Sequence, residues 1–581
     1  MNALSACAKG LAAGGLLASF WLQAASTSPA QDPPAVPPTT AAFERALLAQ
    51  QGAVDTTPSP AFPREGLPAS GGTAKEAPKE KAPESPWVKV PDLSPTPRPG
   101  LFLLPPNGPG YYTLRDMCQG KCLDKAPPYP YRVFFYENDF RYLDKADGKP
   151  VDCLDNLKRI HLGALCGSCN DNWLFSIGGE ERVQIKNEID SRLTARDNDY
   201  QLLRSRIYGD LWYRDIFRVY VEFLDARSYN EDLPPLAIDV NKTDLLNAFV
   251  DVKVGEVDGH PVYVRVGRQE LLYGSQRLVS PLDWANTRRT FEGAKLFYRS
   301  EKLDIDAFYT YPNNVSPSHY DAPNWNEKFA GIFATYKPAK NRSFDAYYFY
   351  LDYDLKEPIG LTNGGRYGRD SNTFGARYYG DYQREGACNS ILWDFEGAYQ
   401  FGDYTNRALQ AGMATAGLGY AFNKLPMQPQ FWAYYDYASG SPNLTGTGTF
   451  STFDHLFPFG HYYFGYLDLV GRSNIHDWNF QAVIYPEKWI TLLAQYHIFR
   501  LDQAGDALYS APPNYTIIRR DPTGRAGTNV GQELDILASF QLDRHNALAF
   551  GFSKLFSGDF IKQTGANVNP ELYYLQYTLR W

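Results

Sequence analysis

After its first 25 positions the chain has no run of about 20 apolar residues, so no membrane-crossing helix follows them. Its mean hydropathy, -0.42, is that of a water-soluble protein. Net charge is only -8, and no stretch gathers Lys and Arg into the basic stripe that a nucleic-acid partner requires. Covalent haem is disfavoured because Asn170 follows Cys169 where attachment needs His. Nothing in the sequence calls for a cofactor. What is abundant is aromatic: Tyr, Phe and Trp make up 15% of 581 residues, alongside 48 Gly. A chain this long exceeds one ordinary domain, and a large barrel is among the few single-domain solutions of that size.

The C-terminal segment shows which kind. Tyr573, Leu575, Tyr577, Leu579 and Trp581 share one face at period two, while Gln576, Thr578 and Arg580 share the other. That is a strand with lipid on one side and water on the other, ending in an aromatic residue read by outer-membrane assembly machinery. Alternation of lipid-facing and lumen-facing residues also explains how a membrane protein keeps a polar average.

The N-terminus reads as an export signal over 1–25, with Lys9 before the apolar stretch Leu11–Leu22 and cleavage near Ala24 or Ala25. Leu4-Ser-Ala-Cys7 looks like a lipoprotein box but precedes the apolar stretch, which argues against lipidation. Residues 26–110 are rich in Pro, Ala, Ser, Thr and Lys and predict a disordered periplasmic tether, with one weak helix at 41–51. A plain spacer is the simplest role for it; docking to peptidoglycan or periplasmic proteins is the alternative. Residues 111–172 form a small periplasmic segment holding Cys118, Cys122, Cys153, Cys166 and Cys169. Disulfides are the default after export. A four-thiolate metal site from the two closely spaced pairs, with His161 nearby, is the alternative, and the odd fifth cysteine is either free or bridged to Cys388.

From 173 to 581 eighteen period-two strands are expected, at 173–190, 201–213, 217–226, 244–254, 262–272, 290–298, 302–309, 328–336, 342–351, 371–380, 392–401, 410–421, 430–439, 477–485, 489–500, 531–542, 546–556 and 572–581. Odd strands are followed mostly by long segments and even strands mostly by turns. This sorting fits an all-β transmembrane antiparallel barrel with periplasmic turns, and the even count returns both termini to the periplasm. Parity places Arg182, Lys186, Arg204, Arg206, Arg218, Arg265 and Arg377 inward, along a solute path. Opposite them lie the inward acids Asp304, Asp306, Asp345, Asp394, Glu396, Glu533 and Asp535. A basic arc facing an acidic arc creates a transverse field that does not by itself select anions.

The stretch Val264-Arg-Val-Gly-Arg-Gln-Glu-Leu-Leu-Tyr-Gly-Ser-Gln-Arg-Leu-Val279, with Trp284, Asn286 and Arg289–Gly293, resembles the alginate-export family of outer-membrane barrels. So do the block Phe453–Asp468, with Asn474 and Asp477, and the opening Ile177-Gly-Gly-Glu-Glu-Arg182. The resemblance implies an eighteen-stranded barrel whose best-known member passes an acidic polysaccharide through an arginine-rich constriction. Carried over by position, Arg265, Arg268, Gln269, Arg277, Arg289, His461 and Asp468 are candidates within the motif blocks. Arg268 falls on the lipid-facing parity, near the rim. The expected function is a porin-like outer-membrane channel, not an enzyme, for an anionic or sugar-like solute. An enzyme on a barrel scaffold and a loop-plugged anchoring barrel are the alternatives. His455, His461 and His476 lie near Asp454, Asp468 and Asp477, but the spacing matches no nucleophilic or metal signature.

Overall fold

The computed structural model describes residues 90, 93, 105–144, 150–163, 172–339, 341–355, 367–383, 388–442, 444 and 447–581. The expected export signal, Cys7, the helix at 41–51, nearly all of the Pro-rich tether, and Cys166 and Cys169 lie outside the described residues.

Eighteen strands close into one antiparallel barrel. They are β1 Trp173–Ile189, β2 Asn198–Tyr213, β3 Phe217–Tyr229, β4 Asn241–Val257, β5 His260–Gln269 and β6 Phe291–Arg299. Next come β7 Leu303–Asn314, β8 Glu327–Ala339, β9 Arg342–Leu355, β10 Tyr367–Tyr382, β11 Ser390–Tyr404 and β12 Arg407–Ala421. The last six are β13 Gln430–Ala438, β14 Ile475–Ile484, β15 Ile490–Leu501, β16 Asn529–Gln541, β17 Asn546–Ser557 and β18 Glu571–Arg580. Each overlaps one expected strand. The fifth stops at Gln269 instead of 272, because Glu270, Leu271 and Leu272 leave the sheet and bury themselves in the interior.

Connections alternate by parity. Turns at 214–216, 258–259, 300–302 and 542–545 close one end; long segments at 270–290, 439–474 and 502–528 occupy the other. The exception at the long-loop end is the pair Thr405–Asn406, a tight reversal with both residues at positive φ (48° and 65°), the geometry that suits a two-residue hairpin.

The barrel closes where β1 pairs with β18, from Glu180 opposite Arg580 to Ile189 opposite Glu571. Below that ladder the Trp581 amide donates to the Gly179 carbonyl (3.0 Å) and the Gly179 amide donates to the Trp581 carbonyl (2.8 Å). A Cβ on Gly178 would lie 2.5 Å from the Trp581 carbonyl oxygen, and one on Gly179 2.9 Å from the Trp581 ring. The Gly-Gly pair therefore lets the C-terminal residue seat at the seam.

Outward positions expose large apolar side chains such as Ile207, Phe223, Val266, Ile332 and Phe550, the surface a bilayer covers. Inward charges are nevertheless buried: Arg182, Arg204, Arg218, Arg265 and Arg377 are each 4% exposed or less. In an eighteen-stranded barrel this requires that the interior be occupied.

Among the described residues three segments fill most of it, and buried residues 506–511 of the 502–528 connection pack beside them. Two of the three are the long connections 270–290 and 439–474. The third is N-terminal. Residues 105–144 and 150–163 lie at the short-turn end, where the Arg115 amide donates to the Leu542 carbonyl (2.9 Å), and Tyr131–Phe140 enters the mouth. Cys153 is disulfide-bonded. Cys118 and Cys122, for which disulfides are the default expectation, are free and exposed, and Cys388, an optional partner for the odd fifth cysteine, is free as well. Among the described residues no group of three or more His, Cys, Asp or Glu is placed to hold a metal.

Candidate functional site

The site is the lumen, and most of its charges are paired; Lys186 lies over the Trp284 and Tyr200 rings, at 4.4 and 5.5 Å. In the basic arc Arg204 pairs with Glu180 at 2.6 Å, Arg206 with Glu222 at 2.7 Å, Arg218 with Asp210 at 2.7 Å and Arg265 with Asp251 at 2.7 Å. Arg182 instead spends its guanidinium on backbone, donating to the carbonyls of Asp283 (2.7 Å), Trp284 (2.8 Å) and Ala285 (3.0 Å). Arg204 reaches the Asp283 and Ala285 carbonyls at 2.8 and 3.0 Å, and the Asp283 carboxylate at 3.0 Å. Two wall arginines thus clamp the far limb of segment 270–290.

The acidic arc works with opposite polarity. Glu533 accepts from the Leu467 amide at 2.9 Å and Asp535 from the Tyr466 amide at 3.2 Å, which holds segment 439–474 by its N–H groups. Arg277 on the first segment crosses to Asp394 (2.7 Å) and Glu396 (2.8 Å); Arg377 in β10 shares Asp394 at 2.6 Å. Arg472 on the second segment reaches Asp436 at 2.5 Å. The remaining wall acids are also engaged: Asp304 with Lys337 (2.9 Å), Asp306 with Lys295 (3.6 Å) and Arg299, and Asp345 with the Thr335 hydroxyl (2.7 Å). The transverse field expected from the parity pattern is therefore largely cancelled by wall pairs and by the dipoles of the inserted segments.

The two inserted segments are bonded to one another. Val279 and Phe457 form a parallel bridge, with the Ser280 amide on the Phe457 carbonyl and the Phe457 amide on the Leu278 carbonyl, both 2.9 Å. The Arg289 guanidinium donates to the Ser280 (3.2 Å) and Pro458 (3.4 Å) carbonyls. Arg277, Arg289, His461 and Asp468 accordingly lie inside the barrel, not at its rim. His461 Nδ1 sits 2.7 Å from Asp468 Oδ2, stacked on Tyr466 and against Trp284. Gln269 is buried at the end of β5, near the Gly267 and Gly293 carbonyls (3.5 Å each). Arg268 stays on the outer parity, bound to Glu292 (2.7 Å) and the Asp321 carbonyl (2.7 Å).

The short-turn half of the lumen is filled from the N-terminal side. The Phe135 ring lies 4.0 Å from the Arg206 guanidinium and the Tyr136 ring 4.4 Å from that of Arg265, while Arg218 donates to the Tyr136 carbonyl at 2.7 Å. These rings pack on the inner-wall stack Tyr208, Tyr220 and Phe249. Outside the barrel the segment is fastened to the 542–545 turn. Arg544 bonds Asp155 (3.0 Å) and Asp152 (3.3 Å), and His545 contacts Asp152 (2.8 Å) and the Tyr131 hydroxyl (2.9 Å). Burial pushes Asp152 up, but His545 and Arg544 outweigh it and hold the carboxyl at about 2. Burial pulls the Lys158 amine down to about 7, against the opposing pull of Asp155. Sequence reasoning missed this plug, along with Asp283, Arg472 and Arg288, which is buried and paired with Glu270 at 2.5 Å. The one available signal was the aromatic density of Tyr129–Tyr136 in an otherwise Pro- and Cys-marked region.

The family model for alginate export matches residues 173–574, most of the chain, from the start of β1 into β18. The chain belongs to the alginate export family. This makes it an outer-membrane β-barrel of porin type, and the bonded loop blocks 270–290 and 439–474 fall within the matched region. Similar solved structures include three Pseudomonas aeruginosa proteins. OccD3 (OpdP) is 11% identical with TM-score 0.48, covering 70% of this chain and 91% of its own. OpdQ is 12% identical with TM-score 0.46, covering 70% and 97%. OpdK, solved with vanillate, is 10% identical with TM-score 0.46, covering 70% and 98%. No curated protein matches the chain. The N-terminal plug lies ahead of the matched region.

Proposed function

We propose that this member of the family is a gated outer-membrane channel for a sugar-like solute, neutral or acidic, held closed by its own N-terminal segment. The observation that carries the reading is the inner wall at the short-turn half. Rings of Tyr208, Tyr220 and Phe249 alternate with ion-paired Arg206, Arg218 and Arg265, and the plug covers them. Flat apolar rings bear the C–H faces of a sugar, and paired charges offer hydroxyls both donors and acceptors without fixing net charge. A wall whose arginines are already paired is less suited to trapping a free anion than the parity pattern alone implies. On this reading residues 105–163 are periplasmic, as are the short turns, and the inward arginines line the solute path.

The interior packing also favours a second reading, a permanently plugged anchoring barrel. Planar-bilayer recordings separate the two. The full chain should conduct rarely, and Arg544→Ala with Asp155→Ala should raise the open probability by releasing the plug. Silence in both would remove the channel reading and leave the anchoring one.

A further inference from the structure

We infer that the short-turn mouth carries a docking notch for a Pro-containing peptide with two apolar residues three positions apart, filled in this structure by Val90 and Leu93 of the chain's own Pro-rich tether. The notch goes beyond the gated channel and stands whether or not the lumen conducts.

Four side chains build it, on strand ends nearest the short turns. Leu174 at the start of β1 pairs with Trp212 near the end of β2, and Tyr263 in β5 pairs with Phe297 in β6. They share the inward parity of Glu180, Arg206, Arg265 and Lys295, so they belong to the inner wall. Tyr263 stacks on Phe297 with ring centres 5.7 Å apart, and Trp212 meets Tyr263 edge-on at 6.3 Å. The Tyr263 hydroxyl donates to the Asp215 carbonyl in the turn 214–216, which fixes the ring at the mouth. All four residues are 5% exposed or less, and Val90 and Leu93 pack against them.

This cluster is separate from the one that receives the plug. Phe134, Phe135 and Tyr136 gather with Tyr208, Tyr220 and Phe249, a different set of rings. The tether contact is therefore a second hold on the mouth, independent of the first.

The class of ligand follows from the ring lining and from the occupant. Val90-Pro91-Asp92-Leu93 has Pro86 before it and Pro95 and Pro97 after it. A polyproline II helix repeats every three residues, so apolar residues at i and i+3 of such a peptide face one way. Grooves lined by aromatic rings take Pro-rich peptides of this kind, because a preformed chain has little entropy left to lose. Charge does not do the selecting. The Arg218 guanidinium, 4.8 Å from the Trp212 ring, is committed to Asp210 at 2.7 Å, and that of Arg299, 5.4 Å from the Phe297 ring, to Asp306. Binding through ring and apolar contact should respond little to salt.

Tryptic cleavage after Lys89 in the purified full chain, in detergent, reads occupancy from the tether side. Phe297→Ala leaves the cleaved sequence unaltered, and Leu93→Ser leaves the barrel unaltered; each should speed that cut at least about tenfold. Protease sensitivity of residues 129–140 should stay at the parent level in both, since the plug rests on the other cluster. A fluorescein-labelled peptide of residues 86–97 reads the notch itself. Fluorescence anisotropy should show it binding Leu93→Ser, whose notch is vacated, but not Leu93→Ser combined with Phe297→Ala, at about 0.1 M and about 0.5 M salt alike. The same peptide with its four prolines replaced by alanine should bind at least about fivefold more weakly. Heat-modifiable migration establishes that each variant barrel is formed. Unchanged cleavage in either formed variant, exposure of 129–140 together with Lys89, peptide binding that survives Phe297→Ala, or equal binding of the alanine peptide would each overturn the notch. None of these readouts uses conductance, so the notch and the channel reading fail separately.

Discussion

Replacing Arg277 by methionine removes the charge with which segment 270–290 grips the acidic wall while keeping an unbranched apolar stem in its place. The guanidinium is fully buried, with Asp394 at 2.7 Å, Glu396 at 2.8 Å and the Tyr463 ring at 4.6 Å. The wall itself should survive, because Asp394 keeps Arg377 at 2.6 Å and Glu396 keeps the Tyr347 hydroxyl at 3.0 Å. What is lost is the anchor of the near limb, Tyr273–Leu278; the far limb remains clamped by Arg182 and Arg204. Breaking a buried pair from one side costs about 3–5 kcal/mol. At 1.4 kcal/mol per decade, the dislodged population of that limb should rise about a hundredfold to a few thousandfold. Amide hydrogen exchange at Gln276 and Leu278 should accelerate accordingly, and open events in bilayers should become more frequent in the background carrying Arg544→Ala with Asp155→Ala. Arg277→Lys should show a smaller effect, since one donor still reaches a carboxylate. Exchange and conductance both within twofold of the parent would refute the assignment of Arg277 as the anchor.

Gly179→Val places a branched side chain against the Trp581 ring and the Arg206 carbonyl; overpacking of this kind costs about 1–3 kcal/mol, and the fraction of heat-modifiable barrel should drop. Deleting Trp581 removes both seam hydrogen bonds and the terminal aromatic, and normal outer-membrane yield would count against the seam. Plug docking should depend on pH in two windows. Lys158 is held at about 7 when docked against an ordinary 10.5, so the undocked state binds the extra proton and docking strengthens as pH rises from about 7 towards 10.5, with no further change below 7. Asp152, held at about 2 against 3.8, stabilises docking above 3.8 and loses that contribution as pH falls towards 2. Protease sensitivity of residues 129–140 across pH reads both, and Lys158→Met should abolish only the upper window.

The barrel was legible in the sequence because each strand carries its own period-two signal, and a membrane leaves no freedom over which face is apolar. Inward placement of Arg182, Lys186, Arg204, Arg206, Arg218, Arg265 and Arg377 followed from the same parity. What those residues bind did not follow. Arg182 ends on three backbone carbonyls, and Glu533 on an amide, and backbone groups leave no mark in composition. The two motif blocks quoted as a family likeness did hold the information, since Val279 bridges Phe457, but spacing along a chain cannot announce a contact across a lumen. The plug escaped for a related reason. Its rings are ordinary for an exported segment until Arg206 and Arg265 are seen to face them.

The seam between β1 and β18 also sets an order of events. Gly179 and Trp581 stand at opposite ends of the barrel sequence, so the ring cannot be completed until Trp581 has arrived, and its closing contact is among the most non-local in the molecule. Lys158 already reaches the Ile177 carbonyl beside that seam, at 2.5 Å, and the Tyr208 hydroxyl at 3.4 Å. Closure of the cylinder and capture of the plug thus share one address. A chain that assembles with its N-terminal segment left outside would have to reopen its final pairing, or thread a completed mouth, to put it in.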